Sequence, residues 1–176
     1  AKTGYIMHSE DRTHDWFGGC PQSGFLSPYD TYKQTRGKEV IKFAVWRDPV
    51  ERLVSCYKYF CLEKWYRHYF HFLDLYREPT FDHFMMFVRF ELDKKCIILQ
   101  DEHIRRQSDF YSPDDVDFIV PIKKLDTFLQ KYNVPIQYGL KNSTHVDFKL
   151  DNEEYINEIR ELYRADYEIL NSTKYI

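Results

Sequence analysis

The chain has 176 residues, of which 43% are hydrophobic and 30% charged, with a formal net charge of −3. That length fits one domain, 1–176, with a substantial core, and the balance is that of a soluble globular protein. No global basic field draws in nucleic acid, so any anion site must be local, and no run of about 18 or more apolar residues reads as a transmembrane helix.

Residues 1–36 sustain neither a helix nor a strand period. Tyr5-Ile6-Met7-His8 is a short apolar run that fits a strand end. Ser9 to Pro28 is rich in Asp, Gly, Ser and Pro and reads as a long loop, a class that is often functional. Lys38 to Trp46 reads as a buried strand, with Val40, Ile41, Phe43, Ala44, Val45 and Trp46. Asp48 is placed as an N-cap and Pro49 at N1 of a helix carrying Val50, Leu53, Val54, Tyr57, Phe60 and Cys61 at 3–4 spacing. Residues 62–78 are aromatic and basic. Pro79-Thr80 restarts a helix over Phe81 to Leu92. Cys96 to Leu99 is a short apolar run, and Asp101 to Asp115 reads as polar loop. Val116 to Val120 reads as a strand, Lys123 to Tyr132 as a helix, and Pro135 to Asp147 as loop. A last helix starts near Asp151 and carries Ile156, Ile159, Leu162, Tyr163, Tyr167 and Leu170. Short strands alternating with helices argue an α/β fold with a small parallel sheet.

The four cysteines, Cys20, Cys56, Cys61 and Cys96, form no CxxC and no zinc spacing. They read as free buried thiols, with a disulfide such as Cys20–Cys96 as the alternative. His68 and His71 stand three apart but lack a third ligand in pattern, so no metal is expected. Aromatics make up 18% of the chain. They read mainly as core, with an aromatic-lined cleft as the alternative.

The central stretch carries the chemistry. Arg47 follows a strand end, where open α/β sheets place ligands, and its planar fork suits a phosphate. The helix beginning at Pro49 brings a positive dipole end and free N–H groups, and Ser55 brings a hydroxyl in the second turn. The alternative is that Arg47 pairs with Asp48 or Glu51 and merely closes the turn.

The stretch Arg47-Asp48-Pro49-Val50-Glu51-Arg52-Leu53-Val54-Ser55-Cys56-Tyr57 resembles the 3′-phosphate-binding segment of the carbohydrate sulfotransferases, Golgi-type and bacterial. These use 3′-phosphoadenosine 5′-phosphosulfate (PAPS) and release PAP. The resemblance covers roughly residues 38–170. Asp101 to Gln107 looks like the family's histidine-containing loop, although Ile104 and Arg106 depart from the usual His-Trp-x-Pro-Gln. Ile159 to Tyr167 looks like its closing helix. Ala1-Lys2-Thr3-Gly4 looks like a fragment of its 5′-phosphosulfate turn, without the preceding strand.

The resemblance implies a P-loop-NTPase-like three-layer fold, a small central parallel sheet flanked by helices. It implies that Arg47 and Ser55 hold the 3′-phosphate, that Lys2, Thr3 and Gly4 meet the 5′ end, and that Lys141-Asn142-Ser143-Thr144 closes over the nucleotide. The catalytic base falls among His8, Glu10 and His14, with Lys2 stabilising the leaving group. Trp16 can stack on a sugar, and His103, Arg105 and Gln107 are candidate acceptor contacts. Arg67, His68 and His71 are candidates to line an acceptor groove.

The implied function is transfer of a sulfuryl group from PAPS to a carbohydrate hydroxyl. The alternatives are a nucleotide- or glycan-binding domain of this fold without activity, or another phosphoryl-handling enzyme. A Walker A sequence is absent. No leader is visible at the start. The expected place is the bacterial cytoplasm, with a Golgi lumen and an anchor outside this sequence as the alternative.

Overall fold

The computed structural model describes residues 41–63, 78–132 and 146–176. These fall into two compact units. One holds described residues 41–46, 110–132 and 173–176, and the other holds 47–63, 78–109 and 146–172.

The first unit is a small parallel sheet with a helix against it. Strand β1, Phe43–Trp46, pairs with β2, Phe118–Pro121, in the register Phe43↔Phe118 to Trp46↔Pro121. Both strands are apolar runs without alternation, the pattern of a parallel sheet covered on its faces. Ile119 and Val120 are fully buried. Ile119 also bridges to Tyr175, donating to Lys174 O and accepting from Ile176 N, so β2 is paired on both sides.

The described part of β1 is shorter than expected, since Ile41 and Lys42 precede the ladder. Lys42 is held all the same. Its carbonyl accepts from Asp117 N and Phe118 N, and its N–H donates to the Asp117 carboxylate. Strand β2 begins two residues later than expected because Asp117 makes that side-chain bond, and it ends at Pro121, which has no N–H for the ladder. A 3-10 turn, Ile122–Lys124, leads into α3 of the chain, Leu125–Lys131. Phe128 packs its ring 5.0 Å from Phe43 and 5.5 Å from Phe118.

The second unit is helical. Helix α1, Pro49–Tyr57, starts as expected, with Asp48 Oδ1 accepting from Val50 N and Glu51 N and proline at N1. It runs into a π turn, Lys58–Leu62, closed by Glu63 N donating to Lys58 O. The sequence stripe predicts plain α-helix here. Phe60 and Cys61 are neighbours, however, and both are buried at 2% exposure. The wider π turn holds one extra residue and lets two adjacent side chains face the core.

Helix α2, Phe81–Leu92, has a reciprocal cap between Thr80 and His83 and buries Phe81, Phe84, Met85, Phe87, Val88 and Glu91 at 3–4 spacing. The run Ile97–Leu99 forms a 3-10 turn, and two more, Gln107–Asp109 and Pro113–Asp115, punctuate the polar stretch after it.

The closing helix is not continuous. Helix α4, Glu153–Leu162, capped by Asn152, stops at Tyr163 with φ −110° and ψ 24°. Helix α5, Arg164–Glu168, then follows and ends in the 3-10 turn Ile169–Asn171. Tyr163 is fully buried at that break, and its hydroxyl donates to Ile104 O at 2.6 Å.

The core of this unit joins Leu53 and Tyr57 of α1, the buried face of α2, Ile104, Ile159 and Tyr163. Tyr57, Phe81 and Phe148 form its aromatic centre, with centroids 4.8 to 5.7 Å apart. The aromatics of the described residues are thus largely core. Cys96 is an exposed thiol and Cys61 a buried one, and the Cys56 thiol lies 3.7 Å from His103 O. Among the described residues no helix is long and apolar enough to cross a membrane.

Candidate functional site

The site is built around the turn between Trp46 and Pro49. Asp48 is the hub of its helix side. One carboxylate oxygen caps Val50 N and Glu51 N, and the other accepts from the Tyr167 hydroxyl at 3.1 Å. Burial, then the Asp48 charge and this hydrogen bond, push the Tyr167 phenol up from its ordinary value. Pro49 has no N–H, and Arg52 N donates to Asp48 O. The first amides of α1 are therefore taken by Asp48. An anion at this turn meets side chains rather than the free N–H groups that the sequence alone suggests.

The strand side is held differently. The Gln107 side-chain amide pairs with both peptide groups of Arg47: Arg47 N donates to Oε1 at 2.9 Å, and Nε2 donates to Arg47 O at 2.8 Å. Gln107 is itself seated on Asp166, which is fully buried. Asp166 Oδ2 accepts from Gln107 N at 2.9 Å, and Oδ1 accepts from Ser108 N at 2.8 Å. Arg52 reaches within 3.9 Å of the same carboxylate, donates to Arg105 O at 2.7 Å, and lies 5.3 Å over the Tyr163 ring.

Against this fixed backbone, the Arg47 guanidinium and the Ser55 hydroxyl have no hydrogen-bond partner among the described residues, and both side chains are half-buried. Arg47 does not pair with Asp48 or Glu51, so the reading in which it merely closes the turn loses its ion pair. Ser55 lies seven residues beyond Asp48, two helical turns or roughly 10 Å along α1 on the same side.

The histidine-containing loop is organised from α2. Buried Glu91 binds Lys94 Nζ at 2.7 Å and accepts from Asp101 N at 2.7 Å. Asp101 Oδ1 accepts from His103 N and lies 3.2 Å from His103 Nδ1. The His103 ring stands edge-on to Phe60 at 5.3 Å. Arg105 donates to Gln100 O, and Arg106 donates to Leu162 O.

The structure thus brings Arg47, Ser55 and Gln107 into one unit, with His103 and Arg105 on the loop that leads to Gln107. Gln107 is 7% exposed, with its amide held by Arg47 and Asp166. Lys2, Thr3, Gly4, His8, Glu10, His14, Trp16, Arg67, His68, His71 and Lys141 to Thr144 lie outside the described residues. Among the described residues, no three His, Cys, Asp or Glu side chains gather as a metal site would need.

Sequence reasoning assigned no role to Asp166, Tyr167 or Arg52. A signal was present: Asp166 falls in phase with Ile159 and Tyr163, and an acid on the buried stripe of a helix demands internal donors.

The turn residues Arg47 and Asp48 are thus held from two sides, by Gln107 and by Tyr167, and Ser55 follows in the second turn of the same helix. Residues 7–134 match the Sulfotransferase family, and the chain belongs to it. It is a transferase that moves a sulfuryl group to an acceptor. Neither the curated proteins nor the solved structures compared with the chain give a significant match.

Proposed function

We propose that the whole chain is a PAPS-dependent sulfotransferase domain of P-loop-NTPase-like three-layer architecture that sulfates a carbohydrate hydroxyl. The observation that supports this reading is that Arg47, on a turn whose backbone is fixed, and Ser55, in the second turn of the helix that follows, are two anion-seeking groups with no internal partner among the described residues. Arg47 binds the 3′-phosphate through its two-pronged face, and Ser55 donates one further hydrogen bond. That grip is remote from sulfur, so it orients the donor and does not change during transfer.

PAPS supplies the activated sulfuryl group. At the other end, Lys2 with Thr3 and Gly4 holds the 5′ side, and Lys2 balances charge on the departing phosphate oxygen. His8 or His14, with Glu10 as the third candidate, takes the acceptor proton. Lys141 to Thr144 covers the nucleotide. Trp16, His103 and Arg105 contact the acceptor.

Calorimetric titration with PAP and with ATP tests the cofactor: PAP binds and ATP does not compete. Sulfate transfer from PAPS onto a panel of glycans tests the reaction. The His8→Ala or His14→Ala variant that removes the base abolishes transfer and keeps PAP binding. Preference for ATP, or transfer to no glycan by a chain that binds PAP, would overturn the proposal.

A further inference from the structure

Arg47 owes its place to a residue that does not touch an anion. A single planar amide, that of Gln107, holds the peptide N–H and the peptide C=O on either side of the Arg47 Cα. Both soft dihedrals of Arg47 are thereby restrained by one side chain. The amide cannot swing, because Gln107 N donates to Asp166 Oδ2 and Nε2 also lies 3.4 Å from that oxygen. Asp166 is fully buried and is fixed further by Ser108 N. The next residue of α5, Tyr167, holds the next residue of the turn, Asp48. Two adjacent residues of α5 thus fix two adjacent residues of the turn, one directly and one through Gln107.

We infer that Gln107 and Asp166 are positioning residues for the donor's 3′-phosphate, acting through the backbone of Arg47. This rests on the reading of Arg47 as the 3′-phosphate ligand. The Arg47 guanidinium has no described partner to steer it, so its aim is set by where its Cα stands. A long side chain launched from a fixed Cα loses less freedom on binding than one launched from a loose turn. The effect is confined to the 3′-phosphate, since Arg47 meets no other part of the donor in this reading.

The test compares PAP with adenosine 5′-phosphate, which differs only in lacking the 3′-phosphate. Calorimetry on the full chain is expected to show tighter binding of PAP by the parent protein. Gln107→Met keeps the volume and removes both bonds to Arg47. It should cut PAP affinity about tenfold and leave adenosine 5′-phosphate affinity unchanged. In an Arg47→Ala background the same substitution should add nothing, because the group it aims is gone. In turnover the variant should raise the donor KM and spare kcat, as expected for an interaction equal in ground and transition states.

Equal losses for both nucleotides would mark Gln107 as merely structural, and an unchanged preference for PAP would likewise overturn the positioning role. A parent protein with no preference for PAP would instead overturn the 3′-phosphate reading and take this inference with it. Should Gln107→Met fail to fold, Gln107→Asn, which keeps an amide one methylene short of Arg47, carries the same comparison.

Discussion

The Arg47 guanidinium and the Ser55 hydroxyl make no hydrogen bond among the described residues, whereas the nearby Gln107, Asp166, Asp48 and Tyr167 side chains bond to one another or to the turn. Removing either therefore takes nothing from the fold. Arg47→Ala is expected to lose a charge-assisted, two-pronged contact, about 3 kcal/mol or roughly a hundredfold in PAP affinity, and Ser55→Ala about 1 kcal/mol. Melting temperatures should stay near the parent's. A large drop in melting temperature for either would show a structural role instead.

Asp109 behaves in the opposite way. Its Oδ2 is buried without a hydrogen-bond partner among the described residues. Burial raises its pKa above the ordinary 3.8, and the Asp166 charge adds to this, while Arg106 and Arg105 pull the other way. A raised folded-state pKa favours the neutral acid. Its stabilising contribution is present below 3.8 and is lost as pH rises through the raised value, so the ionised group weakens the fold at neutral pH. Asp109→Asn should accordingly melt higher than the parent near pH 7, with the gap closing as pH falls below 3.8. Melting curves across that range check the sign.

At the scale of elements, the starts of helices were the most legible feature. Asp48-Pro49 and Thr80 are local signals, and each sits where its chemistry demands. The breaks were not legible. The turn Lys58–Leu62 and the stop at Tyr163 arise because core positions fall out of phase with a 3.6-residue repeat, and that phase is set by residues far along the chain. Tyr163 ties α4 to Ile104, 59 residues away. Tyr163→Phe keeps the ring beneath Arg52 and strands the Ile104 carbonyl, so stability should fall by about 1–3 kcal/mol. Urea midpoints measure the loss, and an unchanged slope assigns it to the native state. A variant as stable as the parent would mean that this hydroxyl contributes nothing to the break.

For the molecule as a whole, a net charge of −3 offers no general attraction to a multiply charged nucleotide. Recognition must come from local cations such as Arg47, whose peptide groups are held by Gln107. What could be read in advance was the local motif: an arginine after an apolar strand, a capped helix and a hydroxyl in its second turn. What could not be read was the support beneath it, because Gln107 lies 60 residues from Arg47, and 59 from Asp166. No periodicity links such positions. The small parallel sheet was foreseen, whereas the further pairing of β2 with the Tyr175 segment was not, since that run is too short to show a pattern.

The Gln107–Arg47 pairing also bears on how such a protein can change over generations. Peptide groups are the same at every position, so main-chain hydrogen bonding ordinarily survives the replacement of side chains. Here the bonding of one peptide segment is written in the identity of a distant side chain. Drift at position 107 alone can retune the grip on an anion while the residues that grip it stay the same.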